Sequence, residues 1–146
     1  MMKTTYDIQW SLTTPERLQD EHYAHLFILV RNERIVYIGN SFRRRLHKYI
    51  PATMDAVGMS NGQTQIYLGR VREMIGLRAP KVTEMQQLLA FARKPIYNVH
   101  GKLNFEPKNY ITLLNSGCSL LPESLRVDRW GVFQSTRPAS EGYAVA

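Results

Sequence analysis

Residues 26–39 read LFILVRNERIVYIG, and no other stretch limits so strongly what this chain can fold into. Two apolar runs, each too short for a helix, are divided by the polar Asn32-Glu33-Arg34. That pattern predicts a β-hairpin with strands at Leu26–Arg31 and Ile35–Gly39. A pair of strands this apolar has to be covered, so the elements around it should supply helices.

The sequence on either side fits that expectation. Phe42, Leu46, Tyr49 and Ile50 recur at helical spacing within FRRRLHKYI, and Pro51 is expected to end that helix. Residues 52–64 read as a polar loop and Gln65–Val71 as a third strand. A second helix is expected over Lys81–Arg93, with Val82, Met85, Leu88, Leu89 and Ala92 on one face and Pro95 as its stop. Residues 1–20 read as a leading arm carrying a helix start at Thr14-Pro15-Glu16. Beyond Gly101, Tyr110–Asn115 and Trp130–Gln134 could be strands around a short PESL helix, and the tail reads as frayed. The order predicts an α+β or mixed α/β domain in which helices pack a small sheet. Its expected divisions are an arm at 1–20, a central domain at 21–100 and a C-terminal extension at 101–146.

A length of 146 residues supports one domain with a real core. The net charge is +7, carried by 13 Arg and 6 Lys against 12 acids, with a sequence pI near 9.8. Arginine's planar fork suits phosphate, so a nucleic acid is the first partner to consider. Cys118 is alone, which excludes an internal disulfide and a cysteine-based zinc site. The first residues lack a secretory pattern and no apolar run approaches the ~20 residues of a membrane span. A cytoplasmic location is therefore expected, with no membrane partner.

Four features occur in one order: Tyr37-Ile38-Gly39 closing the second strand, Arg45 on the next helix, Glu84 on a later helix, then Pro95-x-x-Asn98. Together they resemble the GIY-YIG endonuclease domain family, over roughly residues 25–98. The resemblance implies a small three-stranded antiparallel sheet flanked by helices, and a divalent-metal-dependent DNA endonuclease. Glu84 would be both a catalytic residue and the protein ligand of Mg²⁺ or Mn²⁺. Arg45 would neutralise charge on the scissile phosphate, and Tyr37 would orient or deprotonate the attacking water. Tyr49 would assist, and Asn98 would hold the geometry. Arg43, Arg44 and Lys48 would contact phosphates, and either arginine could replace Arg45 as the family match because the preceding loop is short.

Each residue also has a plainer reading. Glu84 in a first helical turn would complement the helix dipole by about 0.3–1 kcal/mol. Arg43–Arg45 would be a solvated face, Tyr37 a packed strand residue and Asn98 a turn residue. Phe27 stands where the family has the tyrosine of its first motif, with His25 and Leu26 for the Gly and Ile. Phenylalanine has no hydroxyl, which leaves the water-handling task to Tyr37, helped by Tyr49 or His47. Two function classes follow. One is the DNA endonuclease, for which double-strand cleavage would call for a homodimer or two successive visits. The other is an inactive or attenuated member kept for nucleic-acid binding or protein interaction. RNA ranks below DNA as the partner. In the extension, Trp130, Tyr110, Lys102, Lys108, Arg126 and Arg129 could add a basic, aromatic surface.

Overall fold

A computed structural model describes residues 3–59, 64–72, 76–98 and 110–135. Strands β1 (Lys3–Thr13), β2 (Leu26–Arg31), β3 (Arg34–Asn40), β4 (Gln65–Val71), β5 (Tyr110–Ser116), β6 (Ser124–Asp128) and β7 (Gly131–Ser135) form one sheet. Its order is β3-β2-β4-β1-β5-β6-β7, and it curls into a half-barrel. Neighbours are antiparallel except β1 and β5, which run parallel. Two helices, α1 (Leu46–Ala56) and α2 (Ala79–Arg93), and a 3-10 turn at Pro15–Asp20 complete the described chain.

This overturns the expected three-stranded sheet flanked by helices. β3, β2 and β4 are adjacent and antiparallel, but the sheet does not stop at β4. The supposed leading arm is the cause. Tyr6, Ile8 and Trp10 alternate with Asp7 and Gln9, and all three are buried. Strict alternation of this kind builds a half-buried strand. β1 therefore enters the sheet centre and joins β4 to the C-terminal strands, so the sheet crosses the expected divisions at residues 20 and 100. The expected PESL helix is likewise strand β6, because Leu125 and Val127 face inward while Arg126 faces out.

The two sheet faces are covered unequally. One face carries Tyr6, Ile8, Trp10, Leu26, Ile28, Val30, Ile38, Ile111, Leu113, Leu125 and Val127, roofed by Val82, Met85, Leu88 and Leu89 of α2. The other is apolar beneath β2, β3 and β4, where Phe27, Leu29, Ile66 and Leu68 meet Leu46, Ile50 and Met54 of α1. Phe27 is fully buried there, and Gly39 of β3 is its cross-strand partner. A Cβ at position 39 would collide with the Phe27 ring, which is why only glycine fits. Gly39→Ala should therefore destabilise by about 1–3 kcal/mol, readable as a lower urea midpoint with an unchanged slope.

Both helices differ from their sequence expectations in ways that move the site. α1 begins at Leu46 rather than Phe42, and Pro51 lies inside it. Proline removes one hydrogen bond, to the carbonyl of residue 47, and exposed His47 leaves that carbonyl to water. The buried stripe Leu46, Ile50, Met54 carries the helix past the proline into the expected loop. α2 starts two residues early, at Ala79, because Pro80 suits a first helical turn. Glu84 thus sits in the second turn, beyond the reach of the helix-dipole argument.

Candidate functional site

The type of turn between β2 and β3 fixes how the hairpin's far end is presented. Asn32 and Glu33 both have positive φ, 52° and 61°, as a tight two-residue hairpin turn requires. At the opposite end, β3 leaves the sheet at Asn40 and the chain turns through Ser41–Arg45 into α1. Ser41 Oγ donates to Ala24 O at 2.8 Å, and its amide donates to His25 O at 3.0 Å. Asn40 Oδ1 accepts from the Phe42 amide at 3.0 Å, and Arg43 adopts φ 59°. The loop is therefore pinned at its base and presents Arg43, Arg44 and Arg45 to solvent. They lie ahead of α1, not along its face, and Arg45 is the cap residue, with its carbonyl accepting from the Tyr49 amide at 2.8 Å.

Tyr37 and Tyr49 are brought together. Their rings flank Phe27 at 5.8 and 6.0 Å between centroids. Burial, and then the nearby Tyr49 phenol, push the Tyr37 hydroxyl above its ordinary value of 10.0. A phenol shifted in that direction does not act as a base at neutral pH. The guanidinium over the Tyr49 ring belongs to Arg44, 4.7 Å away. Lys48 and His47 are exposed on the first turns of α1.

Asn98 is placed differently from a turn residue. It is buried and caps the free edge of β3: Ile38 N–H donates to its Oδ1 at 2.8 Å and its Nδ2 donates to Ile38 O at 2.9 Å. The same carbonyl accepts from Gln86 Nε2 at 3.0 Å, and Asn40 Nδ2 donates to Thr83 Oγ1 at 3.3 Å. Thr83 and Gln86, at helical spacing, are thus the α2 residues that reach the edge strand. Glu84 points elsewhere. It lies close enough to Tyr6 to raise that phenol's pKa, second to burial, and Tyr6 belongs to the face roofed by α2. Tyr37 and Tyr49 pack against the opposite face. Glu84 therefore lies on the helix that covers the face opposite Tyr37 and Tyr49, whereas Phe42, which carries Arg43, packs on the α2 side. Among the described residues, no group of three or more His, Cys, Asp or Glu side chains comes together in a way that could hold a metal ion.

No family model, curated protein or solved structure matches this chain. Its functional reading rests on its own geometry.

That geometry contains a feature the sequence did not announce. Arg70 lies 5.6 Å over Tyr23, Tyr23 meets His25 edge-on at 5.6 Å, and His25 stacks on Phe42 at 5.9 Å. Phe42 in turn carries the Arg43 guanidinium at 5.1 Å. These residues come from β4, the segment before β2, and the loop after β3, so only Phe42-Arg43-Arg44 left a local trace. Tyr23 is 58% exposed, and Arg70 is also held by Glu21 at 2.9 Å. The C-terminal hairpin repeats the pairing on a smaller scale: Arg129 over Trp130 at 4.3 Å and Arg126 over Phe133 at 4.9 Å. Tyr110 opens β5, whereas Lys102 and Lys108 lie outside the described residues. Among the described residues, no helix is long and apolar enough to cross a membrane.

His25 anchors this surface while uncharged. Its Nδ1 accepts from the Val71 amide at 2.9 Å, which only a deprotonated nitrogen can do. Burial, then Arg70, lower its pKa from 6.5. The unfolded chain then takes up the proton first on acidification. Stability from this group is full above about pH 6.5 and falls as pH drops toward the lower folded pKa. Unfolding free energies measured from pH 7.5 to 5 should show that loss, and it should be smaller in His25→Gln.

Proposed function

We propose that this protein binds the phosphate backbone of DNA through the Arg43–Arg45 loop and Lys48, with Tyr23 as an exposed stacking surface, and does so without metal-dependent cleavage. The observation that carries the reading is the run of three contacting rings, Tyr23, His25 and Phe42, closed at one end by the Arg70 guanidinium and at the other by Arg43. The Arg43 guanidinium laid on Phe42 keeps its N–H fork in plane and open to phosphate oxygens and loses less entropy on binding, whereas Arg70 donates to Ser11 Oγ and Glu21 and holds Tyr23 in place. An exposed tyrosine beside it offers a face to an unpaired base. Net charge of +7 favours encounter with any polyanion. The non-hydrolytic half of the proposal is supported by Phe27, by the raised Tyr37 phenol, and by the placement of Gln86 rather than Glu84 at the β3 edge.

A second reading, the metal-dependent endonuclease, is favoured by the closeness of Tyr37, Tyr49 and Arg44. Fluorescence anisotropy with a labelled 16-base-pair duplex, in EDTA and in Mg²⁺, tests the first. The proposal expects binding in EDTA that Mg²⁺ does not strengthen, and a log K that falls steeply with log salt. Binding that requires Mg²⁺, or no binding at low salt, contradicts it. Tighter binding to single-stranded RNA than to DNA would reassign the partner.

A further inference from the structure

The turn end of the β2–β3 hairpin holds a cleft that the proposed interface does not use. Its volume is about 820 Å³, and its walls include Arg31, Arg34, Arg93 and Lys94, with Glu33 as the acid at its rim. It forms where the β2–β3 turn meets the end of α2: the Tyr97 amide donates to Val36 O at 2.9 Å and ties the chain after α2 to β3. Arg31 is fixed there by donating from Nη2 to Tyr97 Oη at 2.9 Å, with its guanidinium 5.5 Å over the Tyr97 ring. Among the described residues, Arg93 Nε is buried without a hydrogen-bond partner, while Arg93 also lines the cleft. A charged donor left unmatched in this way is costly, so the guanidinium gains by turning toward an anionic oxygen in the cleft. The end of α2 itself carries about half a negative charge. Four cations against that half charge and one carboxylate still leave the cleft strongly positive.

We infer that this cleft is a phosphate-binding site, taking a multiply charged phosphate group beside Arg93, Arg34 and Arg31. The site rests on the nucleic-acid reading only in its possible source of phosphate, a strand backbone as against a free oligophosphate. β3 places it relative to the first interface. From Arg34 to Asn40 the strand rises about 20 Å, so the cleft and the Arg43–Arg45 loop stand at opposite ends of one edge. That separation corresponds to about six steps of a DNA strand at ~3.4 Å each. A single duplex could therefore touch both.

Pyrophosphate is the first probe, titrated into the full chain while the Arg93 Nε–H resonance is followed. A saturating shift at millimolar concentration, lost in Arg34→Glu, is the expected result. The second probe is the 16-base-pair duplex. A salt slope lower by about 0.9 or more in Arg34→Glu assigns the cleft to the backbone. An unchanged slope, with the pyrophosphate shift retained in wild type, assigns it to a free oligophosphate. No shift of Arg93 up to 10 mM pyrophosphate (an order-of-magnitude ceiling for a useful site), together with an unchanged slope, overturns the inference. Circular dichroism confirms that Arg34→Glu folds, and Arg93→Met provides a second test because it keeps the apolar stem. If the duplex fails to bind at all while pyrophosphate still shifts Arg93, the DNA proposal falls and the cleft stands. If the duplex binds through Arg43–Arg45 and pyrophosphate does nothing, the reverse holds.

Discussion

Replacing Arg43, Arg44 and Arg45 together with alanine is expected to weaken binding to a DNA duplex by tenfold to a hundredfold (an order-of-magnitude figure for three phosphate contacts). The slope of log K against log salt should fall by about 2.7, or 0.9 for each contact removed. Folding should be little affected, because all three side chains are exposed and Leu46, not Arg45, anchors the start of α1. Anisotropy at several salt concentrations separates this outcome from a general loss of charge. Removing three exposed charges elsewhere, such as Arg17, Arg72 and Arg78, should lower affinity through long-range attraction alone and leave the slope nearly intact. An unchanged slope in the loop variant would show that the loop does not meet the backbone.

The second large effect concerns the strand that the sequence reading placed in an arm. Trp10 lies in the centre of β1, 3% exposed, with its ring over Gly69 of β4 at a distance where an added Cβ would stand 2.6 Å away. Its indole Nε1 donates to Asn115 Oδ1 of β5 at 3.0 Å, and Asn115 Nδ2 donates on to Pro122 O at 2.9 Å. One side chain thus joins the hairpin half of the sheet to the C-terminal half. Trp10→Ala should cost about 3–5 kcal/mol, a large share of the about 5–15 kcal/mol of a typical domain. Trp10→Phe keeps most of the buried area and strands one buried acceptor, so about 1–3 kcal/mol is expected. Chemical denaturation of both variants measures this. A cost below about 1 kcal/mol for Trp10→Ala would mean that β1 is not central to the sheet.

The two strands and the third strand were legible because their letters are local: LFILVR, IVYIG and QIYLGRV each carry their own boundaries. β1 is legible too, through the alternation in YDIQW, which an arm spanning residues 1–20 with a helix start at Thr14-Pro15 passes over. Pro51 misled for a different reason. The stripe Leu46, Ile50, Met54 outweighs one lost hydrogen bond near a helix start, which a proline rule applied alone overlooks. At the candidate site, Tyr37 and Tyr49 were found together, and Asn98 proved to hold an edge strand. Glu84 stands out in the sequence only through the family resemblance, and the turn of α2 brings Thr83 and Gln86 to β3. With α2 starting at Ala79, Thr83 and Gln86 face that edge and Glu84 faces Tyr6. The run from Arg70 to Arg43 joins segments 17 (His25 to Phe42) and 47 (Tyr23 to Arg70) positions apart in sequence, as flexible loop closure allows at modest entropic cost. No periodicity within a window could have revealed it.

The most direct measurement is incubation of supercoiled plasmid with the protein in Mg²⁺ or Mn²⁺, scored for nicking and for retention of the plasmid on the protein. The account predicts salt-sensitive retention with the plasmid intact, for wild type and for Glu84→Ala alike, and loss of retention in the Arg43–Arg45 variant. Metal-dependent nicking by the wild-type protein, abolished by Glu84→Ala and Arg45→Ala, would contradict it.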